Sequence, residues 1–374
     1  MLDAKTKKYL GEVRQAGLIR SLSASAEGVL NFCQNDYLGL SQKHAVTEKA
    51  MEYLQRFGTS AAASRVLGGN MPYHVQLEES IAKCYQDKQA LIFSCGFQAN
   101  ATIISALVNE KLHGIKSLVL ADSQCHNSMI TGCQLGGSRI FRYRHQDLQH
   151  LESLLQRPTV GPRFIMTETV FSMSGTITDI DKVIRLAQKY NAYTIIDDAH
   201  GIGVIGPQGY STVKEHINEI DIVVGTFSKA LGSFGAYCIC SQSLKDYLIN
   251  ACRGFIYTTA PSPAMVGAMQ AGWDLIPHMH EARDKLKKNV ACLKKIMKNA
   301  GWEYNNEKSS IIAVYNCNNL SINEAYKALL ENKILVGFVR PPTTAMPILR
   351  ITLSSQHSNN DLEYFSQVID KIKL

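Results

Sequence analysis

Between about residue 46 and residue 275, short apolar runs alternate with amphipathic stretches. The runs at 90–93, 117–121, 164–167, 193–196 and 221–224 are four or five residues long and carry three or four apolar positions each, with little polar alternation. That pattern suits strands covered on both faces. Ala236-Tyr237-Cys238-Ile239-Cys240 reads as one more strand. The intervening stretches have helical spacing: over 179–190, Ile180, Val183, Ile184 and Ala187 fall on one face. Strands alternating with helices predict an α/β fold, with a mostly parallel central sheet and helices on both faces. The pattern changes at both ends. Residues 1–45 read as an N-terminal arm, a short helix followed by Gly28-Val29-Leu30-Asn31-Phe32 and the turn around Asp36-Tyr37-Leu38-Gly39. Residues 276–374 read as a smaller C-terminal α+β domain with a long helix, strands near 311–314 and 350–353, a helix over 321–332 and a final helix. No internal repeat, low-complexity tract or heptad pattern interrupts this plan.

Parallel sheets bind ligands at the carboxyl ends of their strands, and three such ends carry ionisable groups. Glu168 follows the third run. Asp197 ends the fourth, in Ile195-Ile196-Asp197-Asp198-Ala199-His200-Gly201. Lys229 follows the fifth, in Thr226-Phe227-Ser228-Lys229-Ala230-Leu231-Gly232. A lysine is a good nucleophile when its surroundings lower its pKa and its amine can reach a carbonyl. A carboxylate beside a pyridinium N–H makes pyridoxal 5'-phosphate (PLP) an electron sink. Alone, a lysine after a strand is usually a solvated loop residue, and an Asp-Asp pair is often a helix cap. Together the two segments read as a PLP site, placing 46–275 as a large PLP-binding domain with the site in the cleft against the smaller domain.

Composition narrows the partners. The chain of 374 residues is 45% apolar and 19% charged, with a net charge of +7, as expected of a soluble globular protein. Basic residues gather in the first 20 positions and from Arg283 to Lys298; there Leu286, Val290, Leu293 and Ile296/Met297 share one face, so the lysines line the wet side of a helix. Such a surface suits an anionic substrate such as a CoA thioester, or an acidic carrier protein. No motif points to nucleic acid. No run is long enough to span a bilayer, and Met1 to Lys8 lacks the apolar core of a signal peptide. A cytoplasmic location is expected, with no membrane partner. The ten cysteines are scattered without a C-x-x-C pair, and Cys84, Cys252 and Cys292 fall in helical patterns as small apolar residues, so reduced core thiols are expected. No cluster has metal-ligand spacing.

The chain resembles the α-oxoamine synthase family, PLP enzymes of aminotransferase fold type I, almost from end to end. The resemblance is carried by Asn35-Asp36-Tyr37-Leu38-Gly39-Leu40, Ser64-Arg65-Val66-Leu67-Gly68-Gly69-Asn70, His74-x-x-Leu77-Glu78 and Ser94-Cys95-Gly96-Phe97-Gln98-Ala99-Asn100. It continues through Thr167-Glu168-x-Val170-Phe171-Ser172-Met173-x-Gly175, the Asp197 and Lys229 segments, and Arg340-Pro341-Pro342-Thr343. The stretch Thr59-Ser60-Ala61-Ala62-Ala63 departs from it, standing where the family is usually glycine-rich.

The resemblance implies roles residue by residue. Gly96 and Phe97 open a helix whose free N–H groups suit a phosphate, with Thr226 beside it; Thr258 and Thr259 reach that phosphate from a second subunit. His126 stacks on the cofactor ring, Asp197 pairs with the ring nitrogen, and Glu168, Ser172 and His200 surround the cofactor. Lys229 holds the cofactor and acts as base, so Lys229, His126 and Asp197 form the catalytic set. Asn35 and Arg350 grip the amino acid's carboxylate; Arg20 and Thr343 lie near the acyl substrate. The implied protein is a homodimer with shared active sites. The implied reaction condenses an amino acid with an acyl thioester and loses carbon dioxide. Within the family, the Ser64–Asn70 and Arg340–Thr343 segments favour L-alanine and a pimeloyl thioester, carried by CoA or a carrier protein, as in biotin biosynthesis. A glycine-using acyltransferase and a fold-type-I aminotransferase are the alternatives.

Overall fold

The computed structural model describes residues 1–22 and 28–372. Its central sheet has seven strands, in chain order β1 (Gln89–Phe93), β2 (Leu118–Asp122), β3 (Arg139–Tyr143), β4 (Arg163–Glu168), β5 (Ala192–Asp197), β6 (Ile222–Thr226) and β7 (Ala236–Cys240). In space they lie in the order β1-β7-β6-β5-β4-β2-β3. Only β7 runs against its neighbours, pairing antiparallel with both β1 and β6. Every apolar run read as a strand is one, with ends displaced by a residue or two. β3 had no such signal. Its apolar residues are interrupted by Arg139 and Arg142, and it lies at the sheet edge, where exposed charge is tolerated.

The helices follow their apolar faces. Ile180–Lys189 buries Ile180, Val183, Ile184 and Ala187, and Asp179 caps it by accepting the Lys182 N–H at 3.2 Å. His280–Asn299 buries Leu286, Val290, Leu293 and Met297. Cys292 corrects the reading of that residue as core: it is exposed, because it lies off the stripe that those four residues define. Cys252 is buried, yet it sits between two helices rather than within one. All ten cysteines are free thiols.

A second, antiparallel sheet contains β8 (Glu303–Tyr304), β9 (Ile311–Asn316), β10 (Gly337–Val339) and β11 (Ile348–Thr352), in the order β10-β11-β9-β8. The N-terminal arm is tied to this region, since Leu30–Asn31 pairs in parallel with Ile334–Leu335. Residues 23–27 of the arm lie outside the described residues. In the Thr59–Ala63 segment, Ala62 takes φ +55°, a left-handed backbone that glycine adopts without strain. One apolar cluster runs from Phe32 and Tyr37 through Trp273 to Leu349 and Ile369. Arm, large sheet and small sheet thus share a core, which fixes the relative position of the groups that meet at the strand ends.

Candidate active site

The sheet register brings the strand ends together. Glu168 at the end of β4 stands opposite Asp197 at the end of β5, and Asp197 stands opposite Val224 of β6. Asp197 is 5% exposed. Its Oδ2 accepts the Asn100 side-chain amide at 2.6 Å and its Oδ1 accepts the Ala199 N–H at 2.8 Å. Both oxygens are therefore aimed by donors. Asn100 was not among the expected site residues; the available signal was a polar residue on the buried face of Gly96–Leu107, among Ala99, Ala101 and Ile103.

Lys229 lies in the turn after β6. Burial lowers its amine to about 8, against the opposing pull of Asp197 and Glu168 and with the help of the Arg350 charge. Among the described residues, its Nζ takes no hydrogen bond or ion pair. Thr226, at the end of β6, donates its hydroxyl to the Gly235 carbonyl at 2.8 Å and accepts the Ser228 N–H at 3.2 Å. The Ser228 hydroxyl, 2.7 Å from Thr226 Oγ1 and exposed, joins this group without having been anticipated. The first turn of Gly96–Leu107 faces it: a Cβ placed on Gly96 would lie 3.7 Å from Thr226 Oγ1. The Gly96 and Phe97 N–H groups, at the positive end of that helix, have no acceptor among the described residues.

His126 has two parts to play. It caps Asn127–Gly136, its Nδ1 accepting the Ser128 N–H at 3.3 Å, while its own backbone N–H donates to Glu168 Oε1 at 2.6 Å. Desolvation and the Lys229 charge lower its pKa, opposed by Asp197. Glu168 is pushed well above the usual carboxylate range by burial and by Asp197 beside it. His200 is buried, 2.6 Å through Nδ1 from the Tyr37 hydroxyl, and is held well below the usual imidazole range by burial and by Lys229, Arg350 and His126. Both imidazoles are thereby kept neutral near pH 7.

Arg350 comes from β11 and is 7% exposed. It donates to the Ser172 carbonyl at 2.6 Å, the Thr352 hydroxyl at 2.8 Å and Asn35 Oδ1 at 3.0 Å. All three partners are neutral, and no carboxylate lies within ion-pair distance among the described residues. A buried guanidinium with neutral partners calls for an anion, and its planar fork suits a carboxylate. The structure thus brings Asn35 and Arg350 together, and it does the same for Arg20 and Thr343, which are exposed and bonded at 3.3 Å. Thr258 lies apart, lining a small cleft with Arg65, Ser94 and Gln98. Thr259 is exposed, bridged to Ser64. Neither bonds to Thr226 or Lys229.

These groups fit PLP. A fixed carboxylate, a hydroxyl facing an unsatisfied helix N-terminus, a flat neutral imidazole and a buried amine of low pKa are what its ring nitrogen, phosphate, ring face and aldehyde require. Known proteins agree. The model of the family described as aminotransferase class I and II matches residues 27–369. The 8-amino-7-oxononanoate synthase of Citrifermentans bemidjiense is 37% identical, over 97% of this chain and 96% of the relative. A serine palmitoyltransferase solved with PLP superposes with a TM-score of 0.87 at 26% identity, over 99% of this chain and 96% of that one. The 8-amino-7-oxononanoate synthase of Francisella tularensis does so with a TM-score of 0.77 at 28% identity, over 93% and 98%.

Proposed function

Because the chain belongs to the class I and II aminotransferase family and is a PLP-dependent enzyme, we propose that it condenses L-alanine with a pimeloyl thioester, of CoA or of a carrier protein, releasing 8-amino-7-oxononanoate, carbon dioxide and the free thiol. The observation that carries this reading is Arg350, a buried cation with neutral partners that stands within electrostatic reach of the Lys229 amine. An α-amino acid presents a carboxylate to one and its amino end to the other. The relatives named for 8-amino-7-oxononanoate synthesis support the choice of acyl group.

PLP, carried on Lys229, supplies the electron sink that stabilises a carbanion at the substrate's α-carbon. Asp197, aimed by Asn100 and Ala199, holds the proton on the ring nitrogen. His126, His200 and Ser172 would hold the cofactor's ring, His126 by its flat neutral imidazole and the other two by hydrogen bonds. Thr226, Ser228 and the Gly96 and Phe97 N–H groups would bind the phosphate. The Lys229 amine, lowered to about 8, is matched to removing the α-proton near neutral pH and returning it. Arg350 and Asn35 orient the carboxylate; Arg20 and Thr343 contact the acyl chain. Exposed Leu67, Phe97 and Tyr257 flank segments that pack around Arg65 and Phe255. That apolar surface supports a homodimer, in which Thr258 and Thr259 serve the partner's phosphate. No helix among the described residues is long and apolar enough to cross a membrane.

Thiol release by the PLP-loaded protein tests the reading. Release with L-alanine and pimeloyl-CoA, and not with glycine and acetyl-CoA or L-serine and palmitoyl-CoA, is expected. Release only with one of the latter pairs would replace the substrates. Amino-group transfer without thiol release would make the protein an aminotransferase.

A further inference from the structure

The turn that carries Ser172 is gripped from both sides by side chains outside the site. On the large-sheet side stands Asp122, 1% exposed at the end of β2. It accepts the N–H groups of Gln124 and Gln146, each at 2.9 Å, and its Oδ1 lies 2.8 Å from His145 Nδ1. The other His145 nitrogen lies 2.6 Å from Thr176 Oγ1, which in turn lies 2.9 Å from Ser174 Oγ. A carboxylate at Nδ1 draws the ring proton to that side and leaves Nε2 to accept the Thr176 hydroxyl. The Phe171 ring meets His145 edge to face at 4.5 Å and holds the imidazole plane. The Asp–His–hydroxyl order is also that of a hydrolytic triad. Here Ser174 is buried and Thr176 is bonded to both neighbours, so the array is a strut.

On the small-sheet side stands Asn305, also buried. Its amide donates to the Ser174 carbonyl at 2.7 Å and to the Ile311 carbonyl at 3.1 Å, and its Oδ1 accepts the Ala313 N–H at 2.9 Å. Ala313 is the register partner of Arg350 in the β9–β11 ladder. The close approach depends on Gly175, whose φ is +67°: a Cβ there would fall 2.3 Å from the Ile311 carbonyl oxygen and 2.7 Å from Ser309 Oγ. The turn is closed internally by Phe171 N–H to Thr176 carbonyl and Gly175 N–H to Phe171 carbonyl bonds, both 2.9 Å. Ser172, whose carbonyl receives Arg350 Nε at 2.6 Å, therefore has little freedom to move.

We propose that His145, acting through Thr176, and Asn305 are positioning residues for the substrate carboxylate: they clamp the 172–176 turn between the two sheets and so set the direction of the Arg350 guanidinium. Neither touches substrate or cofactor. The proposal rests on the reading of Arg350 as the carboxylate receptor, and its test separates the two.

The PLP-loaded enzyme is titrated with L-alanine and with glycine in the absence of thioester, following cofactor absorbance, and the KM for the thioester is measured in parallel. Thr176→Val, which keeps shape and removes the hydroxyl, should raise the Kd of the better-bound amino acid about tenfold, the loss of roughly one hydrogen bond. Resting cofactor absorbance and thioester KM should stay within twofold. Thr176→Ser should restore the parent Kd, and Asn305→Ala should resemble Thr176→Val; if Asn305→Ala does not fold, the Thr176 pair decides. Arg350→Lys serves as the reference. A raised Kd in Arg350→Lys with an unchanged Kd in Thr176→Val would overturn the clamp alone. An unchanged Kd in Arg350→Lys would overturn the carboxylate reading, and the clamp with it. Equal losses in amino-acid Kd and thioester KM in Thr176→Val would reduce the strut to a fold element and overturn the positioning role.

Discussion

At the ends of β4, β5 and β6, the groups around Lys229 sit on neighbouring strands of one sheet, and their spacing is that of the hydrogen-bonded ladder. The groups around Arg350 are assembled otherwise. Its partners Ser172 and Asn35 lie 178 and 315 residues away in the chain, in the turn after β4 and in the segment after Leu30–Asn31. A ladder is stiff because each strand end is fixed by several backbone bonds. A junction of three segments is only as exact as the packing and side-chain bonds that join them. The lesson is a division of labour: in the proposed function, the half that holds the cofactor and moves a proton is built on the stiff element, and the half that recognises substrate is built where two sheets meet. Damage to the first should appear mainly in kcat, and damage to the second mainly in binding.

The largest effect expected is at Lys229. Lys229→Ala removes the amine proposed to carry the cofactor and move the α-proton, and thiol release should fall to the uncatalysed rate while the melting temperature is retained; measurable turnover would place the base elsewhere. Asp197→Asn keeps the shape of the strand end but removes the charge that holds the ring proton. A fall of roughly 10²–10³-fold in kcat is expected, with amino-acid KM nearly unchanged in steady-state assays. A change confined to KM would contradict the division. Arg350→Lys tests the other half: a point charge replaces a planar fork, and amino-acid KM should rise roughly 10-fold to 100-fold, with a smaller change in kcat. If kcat falls as far as in Asp197→Asn, the two halves are not separable.

The smallest effect concerns Asp198, the neighbour of Asp197. It is fully buried; Oδ1 accepts the Thr169 and Ser211 hydroxyls at 2.6 Å and 2.5 Å, and Oδ2 has no partner among the described residues. Burial pushes its carboxyl up to about 7 from the ordinary 3.8. Between those values the folded protein binds a proton that the unfolded chain has released, so stability falls as pH rises through that window and the loss is complete above it. Asp198→Asn cannot ionise. Its melting temperature should exceed the parent's by roughly 2–4 °C at pH 8, the gain shrinking towards pH 4. Equal melting curves at pH 8 would show that the carboxylate is stabilised by contacts other than its two hydroxyls.

Much of the stiff half was legible in the chain. Short, mostly apolar runs rich in β-branched residues suit central strands, and a parallel sheet presents the Glu168, Asp197 and Lys229 segments at one edge. Gly96 opening a helix was legible as well. Asn100, Ser228 and Tyr37 were not assigned to the site, although each is hydrogen-bonded to a site residue: Asn100 to Asp197, Ser228 to Thr226, and Tyr37 to His200 and Asn35. A polar side chain on a helix, in a turn or on an arm has no periodic signature that names its partner. Edge strand β3, with its arginines, was hidden for the same reason.

The sequence by itself therefore determined the elements, the direction of the central strands and the ionisable groups at their ends, because hydrophobic periodicity and strand polarity are local properties. Only the tertiary structure decided which donors aim Asp197, how His126 serves as cap and site residue together, and how Arg350, Asn35 and Ser172 converge. Each of those arrangements includes hydrogen bonds between segments far apart in the chain, Asn100 to Asp197, His126 to Glu168, and Arg350 to Ser172 and Asn35, and such bonds exist only after the shared core has brought the arm and the two sheets together.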